Sequence, residues 1–163
     1  MNAAESTQPD PTFMNEAIEL ARKNIRDGRG GPFGTVIVKN GTILARGTNL
    51  VTSTNDPTAH AEIVAIREAC LALGSFQLDG CEIYTSCEPC PMCLGAIYWA
   101  RPKAVYFGNT RDDAAQAGFD DRFLYDELPR ALTARRIRMI EFMRDEALVA
   151  FRDWEKKADK VRY

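Results

Sequence analysis

His60-Ala61-Glu62 and, further on, Pro89-Cys90-Pro91-Met92-Cys93 are the residues of this chain whose types and spacing fit chemistry. One imidazole and two thiols make three ligands for a borderline metal ion. Catalytic zinc takes three protein ligands and keeps its fourth position for water, whereas structural zinc closes the fourth position with protein. His60, Cys90 and Cys93 fill the three places and leave Glu62 over. A carboxylate beside a metal-activated water is placed to take and return its proton.

Other readings of the same residues stand beside this one. Cys90-x-x-Cys93 alone fits a thioredoxin-like redox pair. Cys87 would make a closed structural site if it were the fourth ligand. Glu62 fits equally a first-turn glutamate favoured by a helix dipole. His60 is the sole histidine, and a lone histidine is more often a core or surface residue. What favours ligation is its company, a helix start and a second cysteine-bearing helix start. Cys70 and Cys81 fall at apolar positions and read as small buried hydrophobes.

The elements that must position these groups follow from periodicity. Phe13 to Arg26 predicts an amphipathic helix, with Phe13, Ala17, Ile18, Ala21 and Ile25 on its apolar face. Val36–Val38 and Thr42–Ala45 predict strands joined through Asn40-Gly41, a strong hairpin signal. Asn49 to Pro57 reads as a polar loop. His60 to Leu73 predicts a helix with Thr58 as its cap and His60 in its first turn. Glu82–Ser86 predicts a strand, Pro91 to Trp99 a helix opened by proline, and Lys103–Phe107 another strand. Asp112 to Leu128 is less periodic and reads as surface wrapping. Arg138–Phe142 predicts a fifth strand and Glu146 to Lys157 a closing helix. Strands alternating with helices imply an α/β fold, a three-layer α-β-α sandwich on a mixed five-stranded sheet. Gly28 to Gly34 lacks the lysine and strand-before-helix context of a phosphate loop, and reads as backbone room near the site.

With 163 residues the chain fits one domain, expected over 13–163 after a flexible lead-in at 1–12. No run is apolar enough to cross a bilayer. The opening residues have neither the basic patch nor the apolar stretch of a secretory signal, so the cytoplasm is the expected compartment. Five cysteines, an odd number, fit a reducing setting without disulfides. A net charge of −2 argues against a broad nucleic-acid footprint, which calls for a basic balance.

The stretch from Thr85 through Cys87-Glu88-Pro89-Cys90-Pro91-Met92-Cys93 to Arg101 resembles the cytidine deaminase-like superfamily. Gly30–Gly34, Asn55–Glu62, Ala117-Gly118-Phe119-Asp120-Asp121 and the terminal Tyr163 narrow the resemblance to bacterial zinc-dependent guanine deaminases. The zinc motif alone does not separate these from their relatives. The resemblance spans nearly the whole chain from Phe13. It implies one zinc per chain and conversion of guanine to xanthine and ammonia, zinc-bound hydroxide attacking C2 with Glu62 as proton shuttle. It implies that Phe33 stacks on the purine, that Asn49 and the Ala61 backbone hold the base edge, that Asp121 assists the leaving amine, and that Tyr163 closes the pocket. It also implies a homodimer that exchanges C-terminal segments. The rival readings are a tRNA adenosine deaminase, a deaminase of cytosine or another small aminoheterocycle, and a non-catalytic zinc-stabilised dimerisation module.

Overall fold

The computed structural model describes residues 8–163. It divides into two compact units, one ending at Asp121 and the other spanning Arg122–Tyr163. Of the predicted lead-in, residues 1–7 lie outside the described residues. Helix α1 (Pro11–Arg26) opens two residues before the predicted start, with Pro11 in its first turn and the Asp10 carboxylate accepting the Thr12 N–H at 2.8 Å.

In the first unit, β1 (Gly34–Lys39) and β2 (Thr42–Thr48) pair antiparallel as the predicted hairpin. Asn40 and Gly41 both take positive φ, 51° and 71°, the backbone that a two-residue turn between twisted strands requires. After β2 the chain forms the short helix α2 (Val51–Thr54) inside the predicted loop, then α3 (Ala61–Leu73), β3 (Cys81–Cys87), α4 (Pro91–Ala100), β4 (Ala104–Asn109) and α5 (Arg111–Gln116). β3 runs antiparallel to β1 and parallel to β4, giving a mixed sheet in the order β2-β1-β3-β4. The fold class is therefore α/β as expected, with four strands among the described residues rather than five.

Side-chain alternation along β1 and β3 separates the two faces of the sheet. Ile37 and Ile83 point into one core with Ala65 and Ala69 of α3 and Ile97 and Ala100 of α4. Val36, Val38 and Tyr84 point into the other, against Phe13, Met14 and Leu20 of α1. Helices cover both faces, so this unit has the predicted three layers. The α1 face differs from prediction. Its buried stripe is Ala17, Ala21 and Asn24, while Ile18 and Ile25 are exposed. An amide thus occupies a core position that hydrophobic periodicity gave to an isoleucine.

The second unit holds α6 (Arg122–Glu127), a 3-10 turn (Leu132–Ala134) and α7 (Arg144–Lys156). None of its residues is buried. Arg138–Phe142, read as the fifth strand, has no regular structure. A strand exists only by pairing its N–H and C=O groups with a neighbour, and this unit contains no other strand.

Candidate metal centre and base pocket

Two helix starts converge to make the centre. His60 is the N-cap of α3, in extended backbone, and its side chain makes no cap hydrogen bond. Thr58, the predicted cap, instead bonds Asp56 through its hydroxyl at 2.7 Å and its N–H at 2.8 Å. Freed from capping, the imidazole turns to the sulfurs. Cys90 is likewise the N-cap of α4, with Pro91 following, and Cys93 lies in the first turn, fully buried. Both helices direct their positive dipole ends toward the cluster, which favours thiolates.

His60 Nδ1 lies 3.6 Å from Cys90 Sγ and 3.5 Å from Cys93 Sγ. All three ligand atoms fall within 4.8 Å of one another. Zinc at about 2.3 Å from sulfur and about 2.0–2.1 Å from nitrogen, with tetrahedral angles, separates the two atoms by about 3.6 Å. The separations of the imidazole from the two sulfurs therefore match those of a zinc ligand set. Cys87 is not part of the cluster. Its thiol faces the Thr110 carbonyl at 3.6 Å, and burial pushes its pKa up to about 11. Among the described residues the cluster has three ligands and no fourth, the donor set of an open, catalytic site.

The electrostatics suit the cluster. Hydrogen bonding from Cys93 holds the Cys90 thiol down at about 4, with His60 adding to the effect. The same contact, with burial and Glu62, drives the Cys93 thiol up. His60 is raised, chiefly by its bond to Cys90. Glu62, in the first turn of α3, is only 7% exposed, and its Oε2 accepts the Cys93 S–H at 3.5 Å. Burial raises its pKa, and the neighbouring Cys90 adds to the rise.

A cleft of about 110 Å³ opens beside the cluster. That is below the roughly 300–1,000 Å³ of sites for drug-sized ligands, so it suits a single small molecule. Phe33, Asn49, His60, Glu62, Cys90 and Asp121 are among the residues that line it. The Asn49 Oδ1 accepts the Val51 N–H at 3.3 Å, so its NH₂ is the group left to offer a ligand. Asp121 is raised by burial, then by the Cys90 charge. Of the adjacent acidic pair it is Asp121 that reaches the cleft, while Asp120 is exposed. Ala61 is fully buried and does not line the cleft. Its carbonyl faces the backbone at Gly47, where a Cβ would come within 2.1 Å, leaving its N–H as the group it can offer. Tyr163 belongs to the second unit and is exposed.

Cys87, Glu88, Arg111, Ala114 and Phe119 also line the cleft. Sequence reasoning gave none of them a role there, although Glu88 and Cys87 flank the ligand turn and Phe119 lies two residues before Asp121. Arg111 and Ala114 come from α5, which carries no pattern of its own beyond the Thr110–Asp113 capping box. Phe119 meets Phe33 edge to face, ring centroids 5.0 Å apart at 85°. The glycines of the 28–34 run do provide backbone room. A Cβ on Gly31 would crowd Phe33 and Phe119 at 3.2 Å, and one on Gly30 would strike the Asn49 carbonyl at 2.2 Å.

Residues 7–109 match the cytidine and deoxycytidylate deaminase zinc-binding region. The guanine deaminase of Bacillus subtilis (strain 168) is 55% identical over 152 residues, 93% of this chain and 97% of that protein. The chain belongs to the guanine deaminases of this zinc-binding family. An X-ray structure of guanine deaminase from Bacillus subtilis superposes with a TM-score of 0.93 at 53% identity, covering 96% of this chain and 99% of that one. A tRNA-specific adenosine deaminase of Bacillus subtilis (strain 168) is 46% identical over 99 residues, 61% of each protein. The guanine deaminase match, at 93% of this chain, extends well beyond the zinc-binding region, whereas the adenosine deaminase match covers 61% of the chain. The His60, Cys90 and Cys93 cluster is the candidate metal site within this zinc-binding region.

Proposed function

We propose that the chain hydrolyses guanine to xanthine and ammonia. The observation that carries this reading is the open His60–Cys90–Cys93 trio with buried Glu62 against it, in a chain 55% identical to a guanine deaminase. Zinc, when bound, supplies Lewis acidity and lowers the pKa of water at its open position. Glu62 takes a proton at a carboxylate oxygen and delivers it to ring N3. Its raised pKa makes it a competent acid once loaded. The water oxygen bonds C2, Glu62 takes the second proton from that oxygen and passes it to the amine, and the C2–N bond breaks as C2=O forms, so that ammonia leaves with Asp121 assisting. Phe33 stacks on the base, with Phe119 edge-on behind it. The Asn49 amide and the Ala61 N–H hold the base edge. A base filling the cleft excludes bulk water from it, which strengthens each of these contacts.

We further infer a homodimer that exchanges C-terminal segments, Tyr163 closing the partner subunit's pocket. This is supported by the absence of any buried residue in Arg122–Tyr163 and by the exposure there of Ile137, Phe142 and Phe151. Such a unit has no core of its own to offset the entropy of ordering it. No helix is long and apolar enough to cross a membrane among the described residues, and the cytoplasm remains the proposed compartment. Ammonia release from guanine, adenine, cytosine and a tRNA anticodon hairpin, each offered separately to the zinc-loaded chain, tests the reading. Release from guanine is the expected result. Release only from the hairpin would transfer the chain to the tRNA adenosine deaminases and discard the base contacts.

A further inference from the structure

Asn24 is 2% exposed on the buried stripe of α1, and it lies behind the pocket rather than in it. Its Nδ2 donates to the Gly31 carbonyl at 2.9 Å and to the Asn49 carbonyl at 2.8 Å. The same Gly31 oxygen accepts the Phe33 N–H at 2.9 Å, and the Phe33 carbonyl accepts the Asn49 N–H at 3.2 Å. These four bonds form a closed ring, Asn24 to Gly31 to Phe33 to Asn49 and back. The two loops that carry Phe33 and Asn49 are thus tied to each other and to α1 by one side chain. The orientation of the amide is unambiguous, because two carbonyl oxygens at this distance require an NH₂. Its Oδ1 is buried without a partner among the described residues. That costs stability, so it is the two donors that carry the role.

We propose that Asn24 is the positioning residue that sets the spacing of Phe33 and Asn49 around the base. The proposal rests on the reading of those two residues as substrate contacts. Phe119 meets the Phe33 ring and the Val51 N–H holds the Asn49 Oδ1, but the Asn24 amide is what joins the backbones of both loops to α1. Phe33 lies just ahead of Gly34, where β1 begins, and Asn49 follows the last residue of β2. Gly30 shows how tight the arrangement is, since a Cβ there would strike the very Asn49 oxygen that Asn24 holds. A binding site loose by about 1 Å loses affinity even when every contact residue is present. Asn24→Ala removes both donors. Asn24→Asp is nearly isosteric but sets carboxylate oxygen against two carbonyl oxygens, and is expected to be the worse of the two.

The test uses the full zinc-loaded chain, with Asn24→Ala and Asn24→Asp. Zinc content, steady-state turnover of guanine, and hydrogen exchange at the Phe33 and Asn49 amides without substrate are read together. The expected result for Asn24→Ala is one zinc per chain, a KM raised at least ~10-fold and a kcat changed much less, the pattern of lost substrate positioning rather than lost chemistry. Exchange at Phe33 and Asn49 accelerates by at least ~10-fold, as loss of a buried hydrogen-bonded tie predicts, while Val36 and Val38 stay protected. Should wild type release no ammonia from guanine, the functional reading falls, and the exchange measurement still decides the role of Asn24. Unchanged exchange at both amides, an unchanged KM, or a loss of activity merely in proportion to zinc content would overturn the proposal. If Asn24→Asp fails to fold, Asn24→Ala alone decides.

Discussion

At the scale of single residues, the metal centre was readable from the sequence because its chemistry is local. Ligand type and spacing determine a zinc set almost by themselves, and Cys90 and Cys93 gain their low-lying and high-lying thiols from each other. Replacing Cys90 with serine is expected to leave well under one zinc per chain after dialysis, because a hydroxyl does not deprotonate to ligate as a thiolate does. Metal analysis at near one zinc per chain in Cys90→Ser would contradict the ligand assignment. Asn24 was not readable. Its type suggests a turn or a cap, and only the folded α1 face, with the loops that cross it, makes its amide a tie. Arg111 and Ala114 were missed for the same reason, since α5 brings them to the cleft through tertiary placement alone.

At the scale of elements, the hairpin, the two ligand-bearing helices and the central strands follow from turn chemistry and period. The fifth strand did not follow. Arg138–Phe142 looks like a strand in its residue types, but residue types supply no partner for the backbone. Close packing of α3 on β2 yields a sharper expectation. A Cβ on Gly47 would lie 2.1 Å from the Ala61 carbonyl and 2.6 Å from the Ala65 N. Both contacts are backbone, so nothing soft gives way, and α3 would have to shift with His60 and Glu62 on it. Gly47→Ala should cost about 1–3 kcal/mol or more in chemical denaturation. Gly95 lies in the interior of α4, where an added Cβ would meet nothing within 4 Å. It should behave oppositely: Gly95→Ala should gain about 0.5–1 kcal/mol from helix propensity. Equal effects from the two glycines would refute this account of the α3–β2 contact.

At the scale of the molecule, the two units differ in kind. The first holds both apolar clusters and all the described cleft residues. The second has helices without a buried residue. If the second unit completes itself on another copy, light scattering should give twice the 18.2 kDa chain mass, and a monomer at micromolar concentration would rule the exchange out. The sequence pointed to the candidate zinc site and to the glutamate beside it, but to a role for the C-terminus only through resemblance, because exposed apolar residues such as Ile137 and Phe142 carry no mark of what covers them. The claim on which everything else depends is that Glu62 moves the proton while His60, Cys90 and Cys93 hold the metal. The direct measurement is guanine turnover by zinc-loaded Glu62→Gln beside wild type, with zinc counted in both. The account predicts one zinc in each and a fall in kcat of about 10²–10⁴ in the variant, the range of general acid–base catalysis. Turnover near wild type with zinc still bound would contradict it.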